Sequence, residues 1–186
     1  MELSAAIYGR RSTRNFSNAP VGDSELREVI KAATFAPSAM NEQPCQFTVV
    51  TDQALLRKIS RDAKAYELEE FGKESHIDHM REMLSDPKYD IFYGAPALVV
   101  ISAPAGSRWA VEDCALAAEN LMLAAHEMKL GTCWIGFAQE WLATPEGHRA
   151  ISLDESYAPV APIIVGHVAA AMPKVDRRAP KVNWIR

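Results

Sequence analysis

The chain has only three cysteines, and Cys45, Cys114 and Cys133 form no CxxC pair and no metal-like spacing. An odd, scattered set of thiols reads as a protein of a reducing compartment. No GxGxxG and no GxxxxGK[ST] occurs, so a bound nucleotide must be held by side chains rather than by a glycine-rich turn. No apolar run approaches membrane length, and the first residues lack the charged-then-apolar order of a signal peptide. No Ser-His-Asp or HExxH arrangement is present. Nor is there a basic excess: a net charge of −4 argues against nucleic acid as the main partner. The expectation is a soluble, cytoplasmic protein with no nucleic-acid or membrane partner.

With 186 residues, 48% hydrophobic and 24% charged, the chain suits one domain spanning 1–186 with a sizeable core. Its charge is uneven. Asp62 to Asp90 holds nine acids and four bases, while Met172 to Arg186 holds five bases and one acid. The most informative stretch is RRSTRNF, from Arg10 to Phe16. Arginine's planar fork pairs two donors with two phosphate oxygens, so Arg10, Arg11, Ser12 and Arg14 suit gripping a phosphate. A solvated turn is the plain alternative. A second cluster, Pro37 to Pro44, offers polar contacts to a flat heteroaromatic ligand; a capped turn uses the same residue types. A third, Lys174 with Arg177 and Arg178, brings cations from the far end. A basic start and a basic tail suggest one shared anionic ligand. His76, His79 and Glu82 share a helical face but lack a third strong metal ligand, so they read as a solvated face.

Glu2 to Gly9 reads as a short helix. Asp23 reads as the N-cap of a helix with Leu26, Val29, Ile30 and Ala33 on one face, ended before Pro37. Gln46 to Thr51 reads as a strand and Gln53 to about Ala65 as a helix. The charged stretch up to Asp86 is helical in pattern, closes before Pro87 and reads as a mobile or solvent-exposed flap. Ala97 to Ala103 is a continuous apolar run, hence a buried strand. Trp109 to Leu130 is the longest helix, with Ala115, Ala118, Leu121, Met122, Ala124, Ala125 and Met128 on its buried face and Gly131 as its stop. Cys133 to Phe137 reads as a short strand or extended loop. Thr144-Pro145 starts another helix, and Ala161 to Val168 is the last core strand. The tail after Pro173 shows no periodicity. Four or five strands joined by long helical connections make the class α/β or α+β.

Four stretches in this order resemble the nitroreductase family of FMN-dependent oxidoreductases: RRSTRNF at 10–16, APSAMNEQPCQF at 36–47, LGTCWIGF at 130–137 and the closing VGHV…PKVDRRAP. The resemblance covers nearly the whole chain. It implies an α+β fold, a central, mostly antiparallel sheet flanked by helices, in an intertwined homodimer. Two FMN sites would lie at the interface, each built from both chains, with the long helix as the central dimer element. Residue by residue, it implies Arg10 and Ser12 at the phosphate and ribityl end, with Arg11 beside them, and Arg14 reaching the pyrimidine edge of the isoalloxazine. Pro37, Ser38, Ala39 and Asn41, with Gln43, match the loop that reaches across from the partner chain. Trp134, Ile135 and Gly136 match the stretch whose backbone N–H faces flavin N5 and O4. Arg178 matches the second phosphate cation, and Arg177 is its neighbour.

The activity so implied is reduction of nitroaromatics, quinones or similar small-molecule acceptors, with NAD(P)H as co-substrate and a ping-pong mechanism. The flavin does the chemistry, so no side-chain nucleophile is expected. The rival readings are a flavin-binding redox sensor without efficient turnover and a flavin-destructase or dehalogenating relative. The chain departs from the family at Cys45, where an aromatic often follows QP. It departs again at Cys133, Trp134 and Ile135, where better-studied members carry Pro and Glu, and at Asp176, where some have lysine. Cys45 and Cys133 read as buried, inert thiols.

Overall fold

The computed structural model describes residues 1–71, 78–170, 172–173 and 175–186. His76 and Lys174, named above, lie outside the described residues. α1 (Leu3–Gly9) and α2 (Asp23–Ala33) lead through a 3-10 turn at Ala39–Asn41 to β1 (Gln46–Val50). α3 (Gln53–Phe71) and α4 (Asp78–Ser85) precede β2 (Ala97–Pro104). α5 (Ala110–Glu127), β3 (Leu130–Trp134), α6 (Gly136–Leu142), α7 (Pro145–Ala150) and β4 (Tyr157–His167) follow. Among the described residues the sheet has four strands in the order β1-β2-β4-β3, and each neighbouring pair is antiparallel. The fold is α+β, as expected, with the antiparallel sheet at its centre.

Helices cover both faces of the sheet, which explains why β2 reads as an unbroken apolar run. Ala97, Val99, Ile101 and Ala103 pack with Val29 of α2 and Ala118 and Leu121 of α5. The alternate residues Leu98 and Val100 pack with Ile59 of α3 and Ala138 and Leu142 of α6. Where α2 and α5 meet the sheet, small buried residues such as Ala33, Ala117 and Ala125 let the helices approach closely.

Several boundaries differ from the sequence reading. Asp23 is not the N-cap of α2. Gly22 caps it, and the Gly22 N–H donates to Glu25 Oε2 at 2.8 Å. α3 runs on to Phe71, past Ala65. The acidic stretch is not a wholly exposed flap, because Leu84 of α4 is buried. α5 stops at Glu127, since Lys129 takes the left-handed turn (φ 63°) expected of Gly131. On that helix Ala115 and Ala124 are only half-buried, while Asp113, Cys114 and Ala117 are buried. Cys133 to Phe137 splits between the end of β3 and the start of α6. β4 begins four residues before Ala161. Thr144 caps α7 as expected, its hydroxyl accepting from the Gly147 N–H at 3.1 Å. Among the described residues no helix is long and apolar enough to cross a membrane, and no group of three or more metal-ligating side chains is placed to hold an ion.

Candidate functional site

The basic segment owes its position to the free edge of β3. α1 ends at Gly9, where an added Cβ would lie 2.8 Å from His126 Nε2. From Arg10 the chain runs extended. Thr13 N–H donates to Thr132 O at 2.8 Å and Ser17 N–H to His167 O at 2.9 Å. Ala169 N–H closes back on Asn15 O at 3.1 Å. Thr13 and Phe16 are buried and anchor the segment. Gly131 is required by this docking, since a Cβ there would lie 2.6 Å from Thr13 Cγ2.

With its backbone pinned, the segment turns its cations into a cleft of about 260 Å³, lined by Arg10, Arg11, Ser12 and Arg14 together with Met172, Pro173, Val175 and Arg177. Arg10 Nε lies 3.4 Å from Glu119 Oε1, an ion pair not aligned for a hydrogen bond. Arg11 Nη1 donates to Tyr8 O at 2.8 Å and Arg10 O at 2.7 Å. The Nε atoms of both arginines are buried with no hydrogen-bond partner. Burial, and then the charges of Arg10 and Arg11, hold His126 below the ordinary histidine value. Arg177, not Arg178, lines the cleft, although both are exposed.

Arg14 also lines an adjoining cavity of about 240 Å³, with Ile91, Tyr93, Cys133, Trp134, Ile135, Gly136 and Phe137. Tyr93 has a left-handed backbone (φ 54°). The Asp90 carboxylate holds the turn, accepting from Ser60 Oγ at 2.6 Å, Phe92 N–H at 2.9 Å and Gly94 N–H at 2.8 Å. The Arg14 guanidinium lies 5.9 Å from the Tyr93 ring centre, and the Tyr93 hydroxyl meets that of Tyr89 at 2.7 Å. The Ile135 N–H is committed to Pro162 O at 2.8 Å. Gly136 opens α6, so its N–H has no acceptor within the helix. Burial pushes the Cys133 thiol up, against the Arg14 charge and the Ser12 side chain.

The loop 36–45 lies elsewhere. Pro37, Ser38 and Gln43 line a separate cavity of about 150 Å³ with Cys45, Phe47 and Asp113, and its lining shares no residue with the other two. Two hydrogen bonds within the loop and one to α5 hold it. Gln43 N–H donates to Ser38 Oγ at 2.9 Å, Gln43 Nε2 to Asn41 Oδ1 at 3.2 Å, and Ala39 N–H to Asp113 Oδ1 at 2.9 Å. The structure therefore brings Arg10, Arg11, Ser12, Arg14 and Arg177 together with Trp134, Ile135 and Gly136. It leaves Pro37, Ser38, Ala39, Asn41 and Gln43 apart within one chain. Sequence reasoning missed Ile91, Tyr93, Phe137 and Met172. The one local signal for Tyr93 was the glycine turn just before the apolar run of β2.

The model of the Nitroreductase family matches residues 7–167. A protein of Archaeoglobus fulgidus, provisionally named an NADH dehydrogenase/NAD(P)H nitroreductase, is 36% identical over 134 residues, 70% of this chain and 64% of that protein. This chain thus spans a little under two thirds of that relative. A protein of the same provisional name from Methanothermobacter thermautotrophicus is 28% identical over 174 residues, 91% of this chain and 78% of that one. The crystal structure of a nitroreductase with bound FMN from Bacteroides fragilis matches with a TM-score of 0.86 at 27% identity, covering 100% of both chains. The family match takes in the whole antiparallel sheet and the β3 edge that carries the arginines, and this chain belongs to the nitroreductase family.

Proposed function

We propose that this chain is an FMN-dependent oxidoreductase that takes a hydride from NAD(P)H and passes two electrons to nitroaromatic, quinone or similar electron-poor acceptors. One observation carries the reading: Arg11 Nε is buried without a hydrogen bond and Arg10 Nε has only the misaligned Glu119 carboxylate at 3.4 Å, and both residues line a cleft that Arg14 joins to an aromatic-walled cavity. Buried donors left unpaired are rare. A phosphate supplies the oxygens they lack, in the geometry that an arginine fork matches. The residues present therefore fit FMN.

Arg10, Arg11 and Ser12, with Arg177 from the tail, hold the phosphate end. Arg14, which lines both cavities, would supply a positive charge to the ring end of the cofactor. Gly136 offers a backbone donor to the ring. Tyr93, Trp134 and Phe137 wall the cavity and exclude water from one side. When bound, FMN supplies the two-electron chemistry between nicotinamide and acceptor. Donor and acceptor use one pocket in turn, which gives ping-pong kinetics.

The proposed assembly is a homodimer in which Pro37, Ser38, Ala39, Asn41 and Gln43 serve the partner's flavin. Two features support it. Within one chain these residues do not reach the cleft. Tyr8 of α1, Val111 and Leu116 of α5 and Trp184 and Ile185 of the tail are exposed apolar groups that a second copy would cover. The proposed setting is the cytoplasm, where the three free cysteines stay reduced.

The test is an absorbance spectrum of the FMN-reconstituted protein before and after NADH or NADPH is added without oxygen. Bleaching of the visible flavin band is expected. A band that persists with both nucleotides overturns the reductase reading, and failure to take up FMN overturns the cofactor.

A further inference from the structure

Two thiols that the sequence spacing gives no reason to pair lie in contact. Cys45 ends the 36–45 loop and Cys114 sits in the first turns of α5, and their sulfurs are 3.9 Å apart across a sequence separation of 69. Cys45 is half-buried and lines the cavity of about 150 Å³ beside the loop, while Cys114 is fully buried. We propose that Cys45 and Cys114 form a peroxide-oxidisable dithiol, with Cys45 as the reacting thiol and Cys114 as the resolving one.

The first step is attack by the Cys45 sulfur on one oxygen of hydrogen peroxide. An S–O bond forms, the O–O bond breaks, and the second oxygen leaves as water with the thiol's proton. The Cys114 sulfur then attacks the Cys45 sulfur. The S–S bond forms, the S–O bond breaks, and the oxygen leaves as a second water with the Cys114 proton. The two sulfurs lose two electrons and the peroxide gains two. A small dithiol reverses the bond by exchange.

The pair is asymmetric in access: Cys45 is half-buried on the cavity, where peroxide can reach it, and Cys114 is fully buried behind it. The contact with Cys114 holds the Cys45 thiol below its ordinary value, against its partial burial and the Asp113 carboxylate. The same contact, then burial and nearby charge, push Cys114 far up. Cys133 is buried, its sulfur lies 3.6 Å from the Trp134 carbonyl and also meets the Ser12 side chain, and neither contact is a second thiol, so it serves as an internal control. The crosslink ties the base of the loop to α5. Its consequence for the flavin site rests on the function proposed above, whereas the thiol count does not.

The full chain as purified is treated with hydrogen peroxide, unfolded, and its thiols counted. The expected result is a fall from three free thiols to one, a Cys45–Cys114 crosslinked peptide by mass, monomer mobility on a non-reducing gel and full recovery with dithiothreitol. Cys114→Ser should stop at a sulfenic acid on Cys45, trapped by dimedone. Retention of all three thiols, oxidation of Cys133 instead, or a crosslink between two chains would overturn the proposal.

Discussion

The segment 10–14 and the loop 36–45 are both dense in hydrogen-bonding side chains, yet they dispose of them in opposite ways. The loop bonds inward: Ser38 takes the Gln43 N–H, Asn41 takes the Gln43 side chain, and Asp113 takes the Ala39 N–H. It does so with Met40, Asn41 and Gln43 in left-handed backbone conformations (φ 51°, 55° and 51°), a strained path for side-chain-bearing residues. The basic segment instead pairs its backbone with β3 and leaves two guanidinium nitrogens buried without a hydrogen bond, one of them beside the Glu119 carboxylate. Each region keeps a buried charged atom without a hydrogen bond, but of opposite sign: guanidinium nitrogens on the segment and Asp113 Oδ2 under the loop, so an anion suits only the segment. The difference lies in backbone pairing, not in composition.

The comparison can be broken most readily at Arg10. Arg10→Ala should weaken FMN binding by roughly 2–3 kcal/mol, or about 30- to 150-fold, the usual loss for a desolvated charged contact. A fluorescence titration checks this, and unchanged affinity would remove Arg10 from the site. Gly131→Ala attacks the docking itself, because the new methyl meets Thr13. Overpacking of this kind costs about 1–3 kcal/mol, read from urea unfolding, and FMN affinity should fall with it. Ser38→Ala removes the acceptor for the Gln43 N–H and should cost about 1 kcal/mol of stability without FMN. A larger loss than at Gly131 would reverse the ranking of the two regions.

The smallest effect is electrostatic. His126 is held low by burial and by Arg10 and Arg11. A depressed histidine binds fewer protons folded than unfolded. Its contribution to stability is therefore present above the ordinary histidine value and lost as pH falls below it. In Arg10→Ala the His126 titration, followed by NMR, should move upward and this acid-side loss should shrink. No movement would mean that the two charges do not act on the same space.

Much of the fold was legible because burial was written as pattern. β2 reads as apolar throughout since helices cover both its faces, and α2 shows a clean buried stripe. The start of β4 was hidden by Pro159, which the strand tolerates here beside a register shift between Ile101 and Ser102 of β2. α6 was missed because it is seven residues long and opens on a glycine directly after a strand. The end of α5 was misplaced because a lysine, not a glycine, takes the left-handed turn. At the site, the arginines were legible as chemistry. Their unpaired state was not, since it depends on which edge of β3 the segment meets. Tyr93 and the Cys45–Cys114 contact were invisible for the same reason: each joins positions that only the tertiary fold brings together.

The most direct test of the central claim changes the ligand and leaves the protein alone. Riboflavin carries the same ring and ribityl chain as FMN but no phosphate. If Arg10, Arg11 and Arg177 form a phosphate site, the wild-type protein should bind FMN more tightly than riboflavin by at least the roughly 30- to 150-fold assigned to one such contact. Equal affinity for the two would show that the arginine cleft does not hold the phosphate and would contradict the account.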